Sequence, residues 1–496
     1  MKSLLTAIFF LLVLAKIFPI LSPVWNAKET FQVDLARNLA RQNLNIFKGQ
    51  INFIPEHVKE AGLNLTPPYP WTEDFPLFNL LAASLMKMTN SESLFVGRFL
   101  SLAFFLLGCF FLFKFVKKEF GESQGQWCIV LLAMTPIMFT FSTQFMADMA
   151  MICCFIAALY FLQQYALTPK KKYFYCALLA AVTIPSFRYY GAFLLIPLLG
   201  YWLDKKLKFN FKFLIFFIAP AIIPALWLYY SLNLQNNPIT LHETHENWHW
   251  GYWKSYLIDN TFYYQIMFDR FFRYSLTYVA LPFFIFGLIK LRKSFFMWGY
   301  IISLLLSCGI FNIGHHIHEH YQMKFIPLLA LLAAVGMVES LKFIKNKRWG
   351  YVLQICVIVA SFILSACQGY KLLKFDSSGT RLGEELKNII QPQERVLAIQ
   401  DVPDPGVFIY GNAQGWITNT DFIKNKSTVR TDINKVVIRV QASPENLDFL
   451  ISQGFKEVWS FEGNLGLHTK CGAWHFFFGE CKRSATYLKI FTRWAE

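Results

Sequence analysis

The chain has 496 residues, of which 55% are hydrophobic, 18% aromatic and only 16% charged. A soluble domain carries about 25% charged residues, so a single soluble globule is excluded, and so much apolar surface excludes a disordered chain. The formal net charge of +16 does not call for nucleic acid, because the basic residues sit in short clusters between apolar runs, as the positive loops of membrane proteins do.

Eleven apolar runs are long enough, or nearly so, to cross about 30 Å of hydrocarbon at about 1.5 Å per residue. They are 3–22, 94–116, 125–143, 148–167, 173–187, 190–203, 211–232, 274–290, 295–313, 321–340 and 350–369. The first has Lys2 and an apolar core, as a signal peptide does. Pro23, Trp25 and Asn26 follow it in place of a small-residue cleavage site, so it reads as a retained helix. Basic clusters follow every second run: Lys114, Lys117 and Lys118; Lys170, Lys171 and Lys172; Lys205, Lys206, Lys208 and Lys212; Lys290, Arg292 and Lys293; Lys342, Lys345, Lys347 and Arg348. They and Lys2 are assigned to the cytoplasmic side. Segment 76–88 is apolar but too short to span, and a crossing there would move every later cluster outside. It is expected to form an interfacial or re-entrant helix on the outer face.

This topology places two long loops, 23–93 and 233–273, and all ten histidines outside or at the outer surface. Residues 1–369 form the expected polytopic α-helical membrane domain, with about eleven transmembrane helices. Residues 370–496 recover charged and turn residues and read as a small extracytoplasmic α/β domain. Its expected strands are 396–400, 436–440 and 456–460, and its helices 379–390 and 443–454. Cys471 and Cys481 lie beyond the last apolar run, where an oxidising compartment permits a disulfide.

No GxxxxGK[ST] loop is present, and no GxGxxG lies between a strand and a helix. HETHE at 242–246 is not HExxH. The chemistry is therefore sought among charges at the outer surface. Glu29 opens an amphipathic helix just beyond the first run. Glu73 and Asp74 precede Pro76 at the start of the short outer helix. Such carboxylates suit a general base or a cation site, or are simply solvated loop groups. Asp148 stands at an outer helix end, a functional candidate at a membrane-embedded position, or a helix cap. Arg188, at another outer end, offers a planar fork suited to phosphate, or a headgroup anchor. Tyr321 and Lys324 add a donor and a cation at the start of the tenth run. His315, His316, His318 and His320 cluster before it, and His242, His245 and His249 lie among acids in the other long loop. Imidazole with carboxylate suits a transition metal, although interfacial histidines without metal are commoner.

In their order these features resemble the GT-C superfamily of membrane glycosyltransferases, specifically the protein-mannosyltransferase and aminoarabinose-transferase type. The resemblance rests on the acidic helix after the first run, on Glu73-Asp74-Phe75-Pro76-Leu77, on Asp148, and on HEHYQMKFIPLLALLAAVG at 318–336. The last is similar to the family's Tyr-x-x-x-x-x-Pro-x-x-Ala-Leu-Leu segment. The resemblance implies transfer of a sugar from a polyprenyl-phosphate donor to a lipid, glycan or protein acceptor at the outer face, in a bacterial inner membrane. It implies Asp148 and Glu29 as catalytic carboxylates, and Arg188 and Tyr321 at the donor phosphate; independently of the resemblance, Lys324 is a cation suited to offset the charge of the leaving phosphate. A divalent metal, where used, would fall to Glu73, Asp74, His245 and His249. Lys28 stands where the family has an acid beside Glu29. The competing expectation is a transporter or flippase for a lipid-linked or anionic substrate. It lacks an inverted repeat or paired Gly/Pro-broken helices in the two halves.

Overall fold

The structure is a computed structural model. It describes residues 2–21, 27–54, 68–71, 74–234, 260–373, 378–391, 394–400, 406–418, 433–440, 448–453, 455–463 and 486–493. The described part is mostly helical. In chain order the helices used below are α1 (Lys2–Ala15), α2 (Ile17–Leu21), α3 (Ala27–Arg41), α4 (Leu77–Thr89), α5 (Leu94–Glu119), α6 (Glu122–Met134), α7 (Pro136–Phe141), α8 (Asp148–Leu167), α9 (Lys171–Phe187), α10 (Leu195–Asp204), α11 (Phe211–Leu232), α12 (Leu281–Lys290), α13 (Phe295–Ile310), α14 (Ile326–Leu341), α15 (Lys347–Leu373) and α16 (Ser378–Ile389).

Among the described residues, six helical stretches are long and apolar enough to cross a membrane: Ser3–Leu21, Leu94–Glu119, Asp148–Leu167, Phe211–Leu232, Glu319–Leu341 and Lys347–Gly369. The other five expected runs form shorter or interrupted helices. The run 125–143 breaks at Thr135, whose hydroxyl caps α7 by accepting from the Met138 N–H, with Pro136 at the first helical position. A 3₁₀ turn, Tyr189–Leu194, precedes α10. A π-helix, Gln265–Ser275, precedes α12, and the chain between them turns through positive φ at Thr277 and Tyr278. Hydropathy marks apolar length, and it does not register where a proline or a polar cap divides that length. Segment 76–88 forms α4.

Helix α14 is the most enclosed of the long apolar helices, and α11 lies at the periphery. Close crossing of α12 and α14 depends on two glycines. A Cβ on Gly287 would lie 2.0 Å from the Leu332 carbonyl oxygen, and one on Gly336 would lie 1.8 Å from that of Phe283. Small residues at helix contacts serve the same purpose in membrane bundles generally. Lys16, at the break between α1 and α2, is buried in apolar surroundings. Its Nζ donates to the Met138 carbonyl and to Ser142 Oγ, both at 2.7 Å, and lies 4.4 Å from the Phe105 ring centroid. It binds the first helical segment to the bundle.

The C-terminal region forms a six-stranded sheet. Its strands are β2 (Phe53–Ile54), β4 (Arg395–Gln400), β5 (Gln414–Thr418), β6 (Lys435–Val440), β7 (Phe455–Gly463) and β8 (Thr486–Arg493), in the order β2-β5-β4-β6-β8-β7. β2, β5, β4 and β6 run parallel; β8 pairs antiparallel with both β6 and β7. The strands expected at 396–400, 436–440 and 456–460 fall within β4, β6 and β7, and the helix expected at 379–390 is α16. The helix expected at 443–454 is described only over Asp448–Ser452. Cys471 and Cys481 lie outside the described residues. Strands β5 and β8 were not expected. Nor was β2, which the first outer loop contributes to a sheet otherwise formed by residues beyond 390. Strands β1 (Gln50–Ile51) and β3 (Tyr69–Pro70) pair antiparallel within that loop.

Asn52, between β1 and β2, is the joint between the loop and the sheet. Its carbonyl accepts from the Gly415 N–H at 3.0 Å. Its own N–H and Nδ2 donate to the two Asp34 oxygens on α3, at 2.6 and 2.8 Å. Burial raises the Asp34 carboxyl from its ordinary 3.8 to about 6, against the opposing pull of the Asn52 hydrogen bonds and of Arg37 and Arg41. The folded state therefore holds this proton more tightly than the unfolded state does. The contribution of Asp34 to stability is greatest below about pH 4, is lost as pH rises through about 6, and stays absent above it. The difference amounts to about 3 kcal/mol. Thermal unfolding from about pH 4 to about pH 7 should show the protein losing stability relative to Asp34→Asn. A difference that does not vary with pH would rule out titration of Asp34 in this range.

Candidate active site

The expected site residues separate into two buried ionic groups. The first is centred on Arg188, which leaves the end of α9 in an extended conformation and leads into the 3₁₀ turn. Its Nη1 donates to Asp74 Oδ2 at 2.6 Å; its Nε and Nη2 donate to Asp148 Oδ2 at 3.2 and 3.1 Å. The Tyr190 hydroxyl donates to the other Asp148 oxygen. Asp74 is fixed further by the Tyr189 N–H, which donates to its Oδ1 at 3.2 Å, and by Trp71 Nε1, which donates to its carbonyl at 2.8 Å. Arg188 and Asp148 are each 1% exposed. Buried charges persist only when paired and hydrogen-bonded, and the guanidinium fork satisfies two carboxylates at once. Asp148 also begins α8, where the helix dipole favours a negative charge. The three side chains carry one net negative charge.

Arg188 stands at the helix end where it was expected, and its fork is engaged by two aspartates. Asp74 likewise gives its carboxylate to Arg188 and to the Tyr189 N–H, which suits an ion-pair partner better than a metal ligand. Glu73, His245 and His249 lie outside the described residues. Among the described residues, no group of three or more His, Cys, Asp or Glu could hold a metal ion.

The second group is Glu29 with Arg98, both 0% exposed. Arg98 Nε and Nη2 donate to the two Glu29 oxygens at 2.8 and 2.9 Å, and its Nη1 donates to the Ile20 carbonyl at 2.6 Å. Glu29 Oε1 also accepts from the Phe145 N–H at 2.9 Å. Glu29 thus grips the loop that leads into Asp148 and does not join the Asp148 carboxylate. The Ser101 hydroxyl holds the same loop by donating to the Gln144 carbonyl at 2.6 Å. Gly97 leaves room for the Phe145 ring, which a Cβ would approach to 2.3 Å. Arg98, Ser101 and Lys16 were not anticipated as site residues. Arg98 did carry a signal, as the lone charge in the apolar stretch 94–113.

Tyr321 and Lys324 adjoin the first group, on the 3₁₀ segment Glu319–Phe325 that leads into α14. The Tyr321 ring stacks on Tyr190, with centroids 4.9 Å apart and planes at 27°. Lys324 is 1% exposed, with its Nζ 4.4 Å from the Tyr190 centroid and 5.6 Å from that of Tyr321. That Nζ is buried without a hydrogen-bond partner, within electrostatic reach of Asp148. His315 is no metal ligand here. Its Nε2 meets Ser307 Oγ at 3.0 Å and its Nδ1 meets Gln322 Nε2 at 3.2 Å. Burial, and then the nearby Lys324, hold the imidazole well below its ordinary range. Arg270, on the π-helix, pairs with Glu319 at 2.6 Å.

Residues 70–229 match the family model for dolichyl-phosphate-mannose-protein mannosyltransferases. No curated protein matches the sequence. Among solved structures, ArnT from Cupriavidus metallidurans bound to undecaprenyl phosphate superposes with a TM-score of 0.55 at 12% identity, covering 98% of this chain and 97% of that one. The oligosaccharyltransferase of Archaeoglobus fulgidus, in complex with zinc and sulfate, gives 0.54 at 12% identity, covering 87% of this chain and 67% of that one. The arabinofuranosyltransferase AftD from Mycobacteria gives 0.51 at 11% identity, covering 100% of this chain and 40% of that one. At these identities the likeness is one of fold: the chain has the fold of the GT-C membrane glycosyltransferases.

Proposed function

We propose that this multi-pass membrane protein transfers a sugar from a polyprenyl-phosphate donor to an acceptor hydroxyl at the outer face of the membrane. The observation that carries the reading is Lys324: a buried amine, bounded by aromatic rings, without a hydrogen-bond partner and beside a carboxylate centre. An amine buried in that state carries its charge most readily when an anion joins it. A lipid phosphate supplies that anion, and its apolar tail suits the surrounding bundle. The family match over 70–229 supports the same reading, since that stretch includes Asp74, Asp148 and Arg188. ArnT, which shares the fold, was solved with undecaprenyl phosphate. No observation favours the transporter or flippase.

In the proposed reaction the acceptor oxygen attacks the anomeric carbon as the bond from that carbon to the phosphate oxygen breaks. The polyprenyl phosphate leaves with the electron pair, and Lys324 offsets its charge, with Tyr321 at the same end. The acceptor proton passes to Asp148. Arg188 and Asp74 act as positioning residues that fix the orientation of Asp148. Glu29, locked to Arg98, positions the loop before it. No step is routed through a metal. The basic clusters support a site and a C-terminal region on the side opposite the cytoplasm, in the proposed setting of a bacterial inner membrane. The acceptor class, whether lipid, glycan or protein, is a matter for the assay.

The test is transfer by the purified protein in lipid nanodiscs, using radiolabelled polyprenyl-phosphate sugars and candidate acceptors. Lys324→Met should weaken binding of polyprenyl phosphate about ten- to a hundred-fold, the range for one charge-assisted contact. Lys324→Arg should restore part of it. Unchanged affinity in Lys324→Met would reject Lys324 as the phosphate ligand.

A further inference from the structure

Buried polar groups almost always have hydrogen-bond partners, and each exception calls for a reason. Among the described residues, Gln144 alone has both atoms of its carboxamide, Oε1 and Nε2, buried without a partner. It is 1% exposed. Its main chain, by contrast, is firmly held. The Gln144 N–H donates to the Phe141 carbonyl at 3.3 Å, and its own carbonyl accepts from the Met146 N–H at 2.7 Å and from Ser101 Oγ at 2.6 Å. The next residue, Phe145, is fixed by Glu29. The side chain is thus presented by a rigid loop, four residues before Asp148. A carboxamide so placed is destabilising unless a further polar group meets it.

Other unpartnered atoms stand on the segment that packs against the helix before this loop. Gln322 Oε1 and Lys324 Nζ stand on the 3₁₀ segment Glu319–Phe325. The rings of Phe141 and His320, 5.9 Å apart, join that segment to the helix that leads into the loop. Lys324 Nζ lies within electrostatic reach of Asp148, and Gln144 stands four residues before Asp148 on the loop that leads into it.

We propose that Gln144 binds a hydroxyl of the donor sugar, with Oε1 accepting and Nε2 donating, while Lys324 takes the phosphate. This rests on the donor reading given above. A phosphate calls for cations and donors, whereas a hydroxyl both donates and accepts, which matches a carboxamide. A sugar joined directly to the phosphate places the two chemistries side by side. Gln144 is then a residue that determines which sugar is accepted, because a buried amide left unpaired discriminates against a sugar lacking the matching hydroxyl.

The experiment uses the full chain in nanodiscs, with polyprenyl-phosphate hexoses that are epimers at single hydroxyls, and with bare polyprenyl phosphate as the probe for the phosphate end. In Gln144→Leu, transfer from the best donor should fall about ten- to a hundred-fold. The preference between epimers should fall by a similar factor toward equality. Binding of bare polyprenyl phosphate should stay within about two-fold of wild type, a smaller change than losing one hydrogen bond produces. Gln144→Glu, which keeps the acceptor but replaces the amide donor, should shift the preference to a different epimer. An unchanged epimer ratio, even with reduced turnover, would overturn the proposal and make Gln144 a structural group held by water. If wild-type protein binds bare polyprenyl phosphate but transfers none of the sugars, the donor reading fails, and this proposal fails with it.

Discussion

Asp148→Asn is expected to lower transfer by about 10²–10⁴-fold, the usual loss when a general base is removed, while polyprenyl phosphate still binds. The variant removes the charge that faces Arg188 Nε and Nη2. It leaves Asp74 to hold Arg188 through Nη1, so the guanidinium is not stranded and the protein should fold. The pH profile separates a base from a positioning group. A base produces a rising limb in the rate that disappears in Asp148→Asn. If Asp148 only orients its neighbours, the limb persists at reduced height. Near-normal transfer in Asp148→Asn would remove Asp148 from the mechanism.

Arg98→Leu is expected to destabilise the protein by about 3–5 kcal/mol, because it leaves the Glu29 carboxylate buried without its partner. Glu29→Gln should also destabilise, since it leaves the Arg98 cation unmatched. The double variant Glu29→Gln/Arg98→Leu removes both charges, and in thermal unfolding it should be more stable than the sum of the single losses implies. Its activity then decides what Glu29 does. Restored stability with substantial transfer identifies Glu29 as the support of the loop before Asp148. Restored stability with transfer still lowered about 10²–10⁴-fold would identify Glu29 as the base.

Glu29 and Asp148 read alike in the sequence, as acids at outer helix ends. The structure separates them: Glu29 meets a guanidinium from a residue 69 positions away, and Asp148 meets one 40 positions away. A single sequence cannot reveal such pairings, because they depend on which helices pack together. Arg188 carries the same lesson. Its fork was legible as suited to an anion; that Asp74 and Asp148 engage it follows from the convergence of α8, α9 and the segment before α4. Lys324 was legible as a cation near an apolar run, but only packing gives it rings on its flanks and no hydrogen-bond partner for its Nζ.

By itself the sequence determined what local physics controls. Apolar runs fix the membrane bundle because length and hydropathy are properties of contiguous residues. Strands β4, β6 and β7 and helix α16 follow from short patterns of β-branched or amphipathic residues. The acids of the site could be named because a charge near a membrane surface is conspicuous in an apolar chain. Tertiary structure alone decided the rest: the entry of β2 from the first outer loop into the C-terminal sheet through Asn52, the pairing of Glu29 with Arg98, the neutralisation of Arg188, and the burial of the Gln144 amide. Each is an interaction between residues far apart in the chain, selected by burial and charge satisfaction once the helices have packed, and no local pattern specifies it.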